Sequence, residues 1–205
     1  MGTVTSLDQV RAQRRERVRV SRQVLPRATL YFDLASPYTY LAAERADRLF
    51  AGLQWLPACA TVLHRCQSRE EDMCAATQRA ALLGLPLVWP EGHPYPVRGA
   101  MRVASLAADL GCARAFVLAA SRLAFCGGFD IDDPEILSEA AASAGIGLDE
   151  TLHAAGDTAR DGPVEEAGRA LLAAGAERLP ALRVGRLLFC GEDRLLEAAA
   201  ARTAV

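Results

Sequence analysis

The sequence predicts an α/β fold in which a β-α-β unit and a β-β-α unit are separated by an all-helical insertion. Three observations lead there. Residues 28–57 read as strand, helix, strand; residues 69–175 carry helical periodicity with no strand signal; and the last thirty or so residues hold a hairpin pattern followed by a helix. At 205 residues, one core with a large insertion fits the chain better than two independent domains.

Taken in order, "ATLYFDL" mixes β-branched and aromatic residues over a strand-length run. Ser36-Pro37 then marks a helix start, with serine at the cap and proline at the first helical position, where its missing N–H costs nothing. The local pattern leaves open whether Ser36 is only a cap or also a catalytic group. The helix sets Tyr38, Leu41, Ala42, Ala46 and Leu49 on one stripe, and Gly52 stops it. "LQWLPA" is a second strand, so the crossover implies a parallel pair. Thr39 reads as a first-turn polar residue. Asp33 reads either as a buried proton-relay carboxylate or as a solvated loop aspartate.

The insertion divides into helices near 69–83, 98–110, 113–125, 134–144 and 163–174, with breaks at "GLPLVWPEGHPYP", Gly111, "CGGFDIDDP" and "GIGLDE". Asp132 or Asp133 caps the helix that begins at Pro134. Trp89, His93 and Tyr95 sit in the Pro-rich break, either walling a cleft or anchoring a loop. "ALRV", the turn pair Gly185-Arg186 and "LLFC" form the hairpin. A last helix follows with Asp193 or Glu192 at its start and Leu195, Leu196 and Ala199 on its inner face. The expected units are a basic tail or helix over 1–27, a two-part domain over 28–62 and 176–205, and the inserted helices over 63–175.

Composition excludes several chemistries. All 23 basic residues are arginine; with no lysine there is no Schiff base, no lysine general base and no phosphate-loop lysine. Residues 1–27 carry seven arginines against Asp8 and Glu16, and the rest of the chain is correspondingly acidic. This basic segment lacks interleaved aromatics, so no nucleic-acid partner is expected. It is followed by no apolar signal region, and "MGTVTS" around Gly2 matches a myristoylation pattern only loosely, so a cytoplasmic protein without a membrane role is expected. The six cysteines, at 59, 66, 74, 112, 126 and 190, form no C-x-x-C pair and read as reduced, packed thiols, with Cys190 the one nearest a candidate site. His64, His93 and His153 show no metal-ligand spacing, and no metal is expected.

The element order, with Pro180 just before the hairpin, is similar to the thioredoxin fold, and the helical insertion narrows this to its DsbA-like branch. Within that branch "YFDLASPYTYLAA", "GLPLVWP…HPYP" and "RLPALRVGRLLFCGEDRLLEA" resemble the 2-hydroxychromene-2-carboxylate isomerase and kappa-class glutathione transferase family, over roughly residues 28–202. Where thioredoxin-like oxidoreductases have C-x-x-C, this chain has Ser36 and Thr39. The resemblance implies a cis bond at Pro180, glutathione paired with the backbone of Leu179, its γ-glutamyl end at Glu192 and Asp193, and the Ser36 hydroxyl on the cofactor's sulfur. It also implies a small conjugated, aromatic carbonyl substrate and a homodimer. The family's usual asparagine and lysine are absent here. Arg65, Arg69 or Arg98 is therefore the expected replacement contact, and the cofactor is glutathione or another low-molecular-weight thiol. The runner-up reading is a DsbA-like thiol-disulfide oxidoreductase, opposed by the lack of a thiol in "SPYT". A third is a non-catalytic thioredoxin-fold binding protein.

Overall fold

The computed structural model describes residues 27–63 and 69–203. The basic segment with Gly2, and His64, Arg65 and Cys66, lie outside the described residues, as does the side chain of Arg69. Strand β1 (Ala28–Phe32) leads into α1 (Pro37–Leu49) and β2 (Gln54–Pro57), then a 3-10 turn at Ala60–Val62. The insertion supplies α2 (Arg69–Leu83), α3 (Arg98–Asp109), α4 (Ala113–Phe125), α5 (Pro134–Ser143), α6 (Leu148–Gly156) and α7 (Asp161–Ala173). Strands β3 (Ala181–Val184) and β4 (Leu187–Cys190) follow, then a 3-10 turn at Glu192–Arg194 and α8 (Leu195–Thr203).

The sheet order is β2-β1-β3-β4. The β1–β2 pair is parallel, as the crossover rule requires, and β1–β3 and β3–β4 are antiparallel. Register places Leu30 beside Trp55 on one side and Leu182 on the other, with Phe189 beyond. Strand alternation then sends Leu30, Phe32, Leu182 and Val184 into one large core with α1, α3, α4, α5 and α8. The insertion therefore shares its core with the sheet. Ala181 and Cys190 point to the other face, where Ala58, Leu171 and Leu179 form a smaller cluster under α7. Gly168 of α7 lies so close to this region that an added Cβ would stand 2.6 Å from the Cys59 carbonyl oxygen.

Several local expectations change. The segment after Gly147 is a helix, α6, rather than part of a break: its leucines, Leu148 and Leu152, are exposed, and its buried contacts are Thr151 and Ala154. On α8, Leu196 is exposed and the inner face is Leu195 and Ala198. On α1, burial extends beyond one stripe to Thr39, Tyr40 and Ala43, because α4 and α8 pack on it as well as the sheet, whereas Tyr38 stays half-exposed. Asp133 caps its own helix, accepting from the N–H groups of Glu135 and Ile136. Asp132 instead caps α3, accepting from Gly99 at 3.3 Å and Ala100 at 2.8 Å. In the hairpin turn only Gly185 has positive φ, at 58°, the requirement at the first central position of a type II′ turn.

Candidate functional site

Because β1 and β2 run one way and β3 the other, the loop after β1, the loop after β2, the approach to β3 and the exit from β4 all meet on one edge of the sheet. Ser36 stands at the start of α1 on this edge, with extended backbone (φ −93°, ψ 123°). Its position is that of an N-cap, but its hydroxyl makes no capping bond. The expected cap bond is absent because the turn is braced from elsewhere. Thr39, fully buried, donates its hydroxyl to the Asp33 carbonyl at 2.7 Å and accepts the Asp33 N–H at 3.3 Å. The Asp33 carbonyl also takes the Ser36 N–H at 3.1 Å.

Asp33 is buried rather than solvated. It is 8% exposed, and one carboxylate oxygen accepts the Ala35 N–H at 2.9 Å while the other accepts the Ala60 N–H, also at 2.9 Å. It therefore ties the β1–α1 turn to the loop after β2. With Thr39 and Asp33 holding the backbone, Ser36 stands at the N-terminal end of α1, where the first-turn N–H groups and the positive end of the helix dipole favour an anion.

The Leu179–Pro180 peptide is cis. One step beyond the last β1–β3 pair, Tyr31 with Ala181, the chain sets Pro180 beside Phe32 and so beside the turn that carries Ser36. Among the described residues, neither the N–H nor the C=O of Leu179 takes part in a main-chain hydrogen bond. The Gly191 N–H donates to the Pro180 carbonyl at 2.8 Å, drawing the start of the last helical segment to the cis-proline. Gly191 has φ 100°, and a Cβ there would collide with Asp193 and Arg178, so this position requires glycine.

Glu192 and Asp193 thus join Leu179 and Pro180, but they differ in environment. Glu192 is 3% exposed and held between two arginines, Arg45 of α1 and Arg79 of α2, each at 2.5 Å. Asp193 is exposed and accepts twice from Arg178, at 2.8 and 3.0 Å. Arg45, Arg79 and Arg178 were invisible in the sequence pattern; the first two lie over a hundred residues from Glu192 and only folding pairs them. Arg98, one of the expected replacements, is on the α3 end near Asp161 rather than in this group. Tyr38, two residues past Ser36, sits among these charges: burial chiefly, then Asp72, Glu192 and Asp193, push its hydroxyl pKa up against the pull of Arg178. It is a neutral donor at neutral pH.

On the other side of the Ser36 turn, Leu34 and Ala35 line a closely packed crevice with Pro90, His93, Tyr95, Phe125 and Ile131, with no room for a water-sized molecule inside it. His93, buried, lies 5.0 Å from the Trp89 ring and edge-on to Phe125 and Tyr95. The aromatic loop both anchors itself and walls the crevice. Burial, followed by the charge of Asp130, pushes the Tyr95 pKa up to about 12. Deeper in, the Tyr40 hydroxyl donates to the Pro86 carbonyl at 2.9 Å and accepts from the Cys126 thiol at 3.1 Å.

Cys59, in the loop after β2, and Cys190, at the end of β4, flank the site, and all five described cysteines are free thiols. Among the described residues no group of three His, Cys, Asp or Glu side chains could hold a metal ion, and no helix is long and apolar enough to cross a membrane.

Residues 28–201 match the family model of the DSBA-like thioredoxin domain. The chain belongs to that family. Among solved structures, a 2-hydroxychromene-2-carboxylate isomerase superposes with a TM-score of 0.71 at 22% identity, covering 86% of this chain and 95% of that one. A probable DsbA oxidoreductase from Streptomyces coelicolor superposes at 0.70 with 19% identity, covering 87% and 90%. The cytosolic disulfide reductase DsbM from Pseudomonas aeruginosa, solved with GSH, superposes at 0.60 with 18% identity, covering 86% and 96%. No curated protein matches by sequence. At these identities the likeness establishes the DsbA-like thioredoxin fold.

Proposed function

We propose that this protein is a glutathione-dependent isomerase or transferase acting on a small conjugated carbonyl compound. The observation that carries the reading is the division of labour between the two positions where a dithiol would stand: Thr39 is buried and committed to the Asp33 backbone, and Ser36, at a helix N-terminus, has a hydroxyl that makes no capping bond among the described residues. Neither of those two positions carries a thiol to exchange with a disulfide, and the site is suited to hold one brought by a cofactor. Leu179, whose main chain makes no main-chain hydrogen bond among the described residues and which precedes the cis-proline, suits the backbone of a peptide thiol. That the fold is shared by an isomerase and by a reductase solved with GSH supports the choice of glutathione. A reduced thiol cofactor also suits a cytoplasmic setting.

The chemistry is a reversible conjugate addition. Helix dipole, N–H groups and the Ser36 hydroxyl all favour the thiolate over the thiol, lowering its pKa. The sulfur adds to the activated double bond, the electron pair moves to the carbonyl as an enolate, and rotation about the new single bond precedes loss of the thiolate. The transferase version ends with protonation of the adduct instead. The crevice admits no water-sized molecule as it stands, so a substrate lies across its mouth or displaces the aromatic loop.

The test is thermal unfolding with reduced glutathione, glutathione disulfide and other thiols. A thiol at about a hundred times its Kd adds about 2.7 kcal/mol, or roughly 5–11 °C for a chain of this size. With a binding thiol in hand, Ser36→Ala is expected to leave affinity nearly intact and to raise the bound thiol's pKa by about 1 unit, seen as lost thiolate absorbance in the ultraviolet. No stabilisation by any thiol would sink the proposal.

A further inference from the structure

Away from the Ser36 site, a groove of about 420 Å3 lies between α4 and α5 on the outside of the insertion. Its floor is Ala115, Leu118, Ala119 and Leu123 of α4, all half-buried, and Glu139 and Ser143 of α5 form one wall. On the α4 side, Arg114 and Arg122 are already ion-paired with Asp47 and Glu44 of α1. On the α5 side, Glu139 and, one turn before it, Glu135 are exposed and enter no ion pair among the described residues. The groove is thus apolar below and acidic along α5. That helix belongs to the longest arginine-free run of the chain, residues 123–159, which holds eight acids.

The groove also opens towards one particular piece of chain. Helix α4 runs antiparallel to α1, since Arg114 at its start pairs with Asp47 near the end of α1, and Arg122 pairs with Glu44 one turn earlier. It finishes at the crevice beside Ser36, where Phe125 and Ile131 meet Leu34, and α5 turns back along it. The end of the groove at Arg114 and Ser143 therefore lies where α1 finishes and β1 begins. Residues 1–26, outside the described residues, join β1 at that end. Extended, they reach up to roughly 85 Å, against roughly 45 Å for the width of a compact chain of this length. They carry six arginines against Asp8 and Glu16, with Val10, Val18, Val20, Val24 and Leu25 set among them. We propose that residues 1–26 dock in the α4–α5 groove of their own chain, with apolar residues on its floor and arginines against Glu135 and Glu139. The segment has both the charge the α5 wall lacks and the apolar side chains the floor takes.

The test is the rate at which p-hydroxyphenylglyoxal modifies each arginine of the full chain, read by peptide mass spectrometry. Arg11, Arg14, Arg15, Arg17, Arg19 and Arg22 should react about fivefold faster in Glu135→Gln/Glu139→Gln than in wild type, within the range for losing two exposed ion pairs. Both glutamates are exposed, so this variant keeps its core. Ala119→Trp leaves every charge in place and fills the groove, and it should speed the same arginines by a similar factor. If Ala119→Trp does not fold, Leu118→Ser takes its place, removing an apolar contact from the floor. Arginines that react in wild type as fast as in both variants overturn the proposal. A response to the glutamate pair alone overturns the groove as the seat. Protection that grows with protein concentration gives the groove to a second copy, and overturns docking within one chain.

Discussion

Replacing Thr39 with valine keeps the side chain's shape and removes one hydroxyl, and that hydroxyl makes two bonds in a fully buried place. The Asp33 carbonyl loses its 2.7 Å donor but keeps the Ser36 N–H; the Asp33 N–H loses its 3.3 Å acceptor. Losing a buried hydrogen bond of ordinary strength costs about 1 kcal/mol, and desolvating a group stripped of its acceptor adds about as much again, so the expected loss is about 2 kcal/mol. For a chain of this length that lowers Tm by about 4–8 °C, and it shifts the urea midpoint with m unchanged. Thr39→Ser retains both bonds and should cost only the buried methyl, about 1 kcal/mol. Valine within about 0.5 kcal/mol of wild type, or serine as damaging as valine, would refute the view that this hydroxyl braces the Ser36 turn.

Three further outcomes are expected. Arg102 grips Asp161 with two bonds at 2.7 Å and holds its carboxyl below the ordinary value, so this pair's stability is present above pH about 4 and is lost as pH falls through the lowered value; Asp161→Asn should flatten the acid limb of the stability curve and cost about 1 kcal/mol at pH 7. Burial pushes the Asp132 carboxyl up, so its contribution has the opposite sign: it is present below the ordinary value and is lost as pH rises through the raised one. Asp132→Asn keeps one oxygen for the Ala100 N–H at 2.8 Å, gives up the longer Gly99 bond at 3.3 Å and removes the buried charge, so it should melt within about 1 kcal/mol of wild type at neutral pH. Gly168→Ala drives a methyl against the Cys59 carbonyl and should cost about 1–3 kcal/mol by urea denaturation, with a wild-type melt refuting the close approach.

What the sequence revealed and what it hid follow a physical line. Helix ends written in glycine, proline and capping aspartates were legible: the helix over 113–125, the start at Pro134 and the Gly185 hairpin all fall as read. Where alanine does the packing, leucine misleads. Leu148, Leu152 and Leu196 point outward while Thr151, Ala154 and Ala198 are buried, because closely approaching helices leave room only for small side chains. At the site, Ser36 and Pro180 could be found from neighbours in sequence, as could the cis bond implied by resemblance. The Arg45–Glu192–Arg79 cluster could not, since its members come from α1, α2 and the approach to α8 and no local pattern links them. Asp33 was undecidable for the same reason: its second partner, Ala60, lies beyond α1 and β2.

The central place of β1 bears on how the chain is made. Its first neighbour, β2, leaves the ribosome soon after it, but its second, β3, emerges only when the whole insertion has been synthesised, since Thr29 pairs with Arg183. Until then one edge of β1 is an open hydrogen-bonding template flanked by Leu30 and Phe32. A nascent or truncated chain ending before β3 would carry that edge exposed, and the C-terminal hairpin is the piece that closes it.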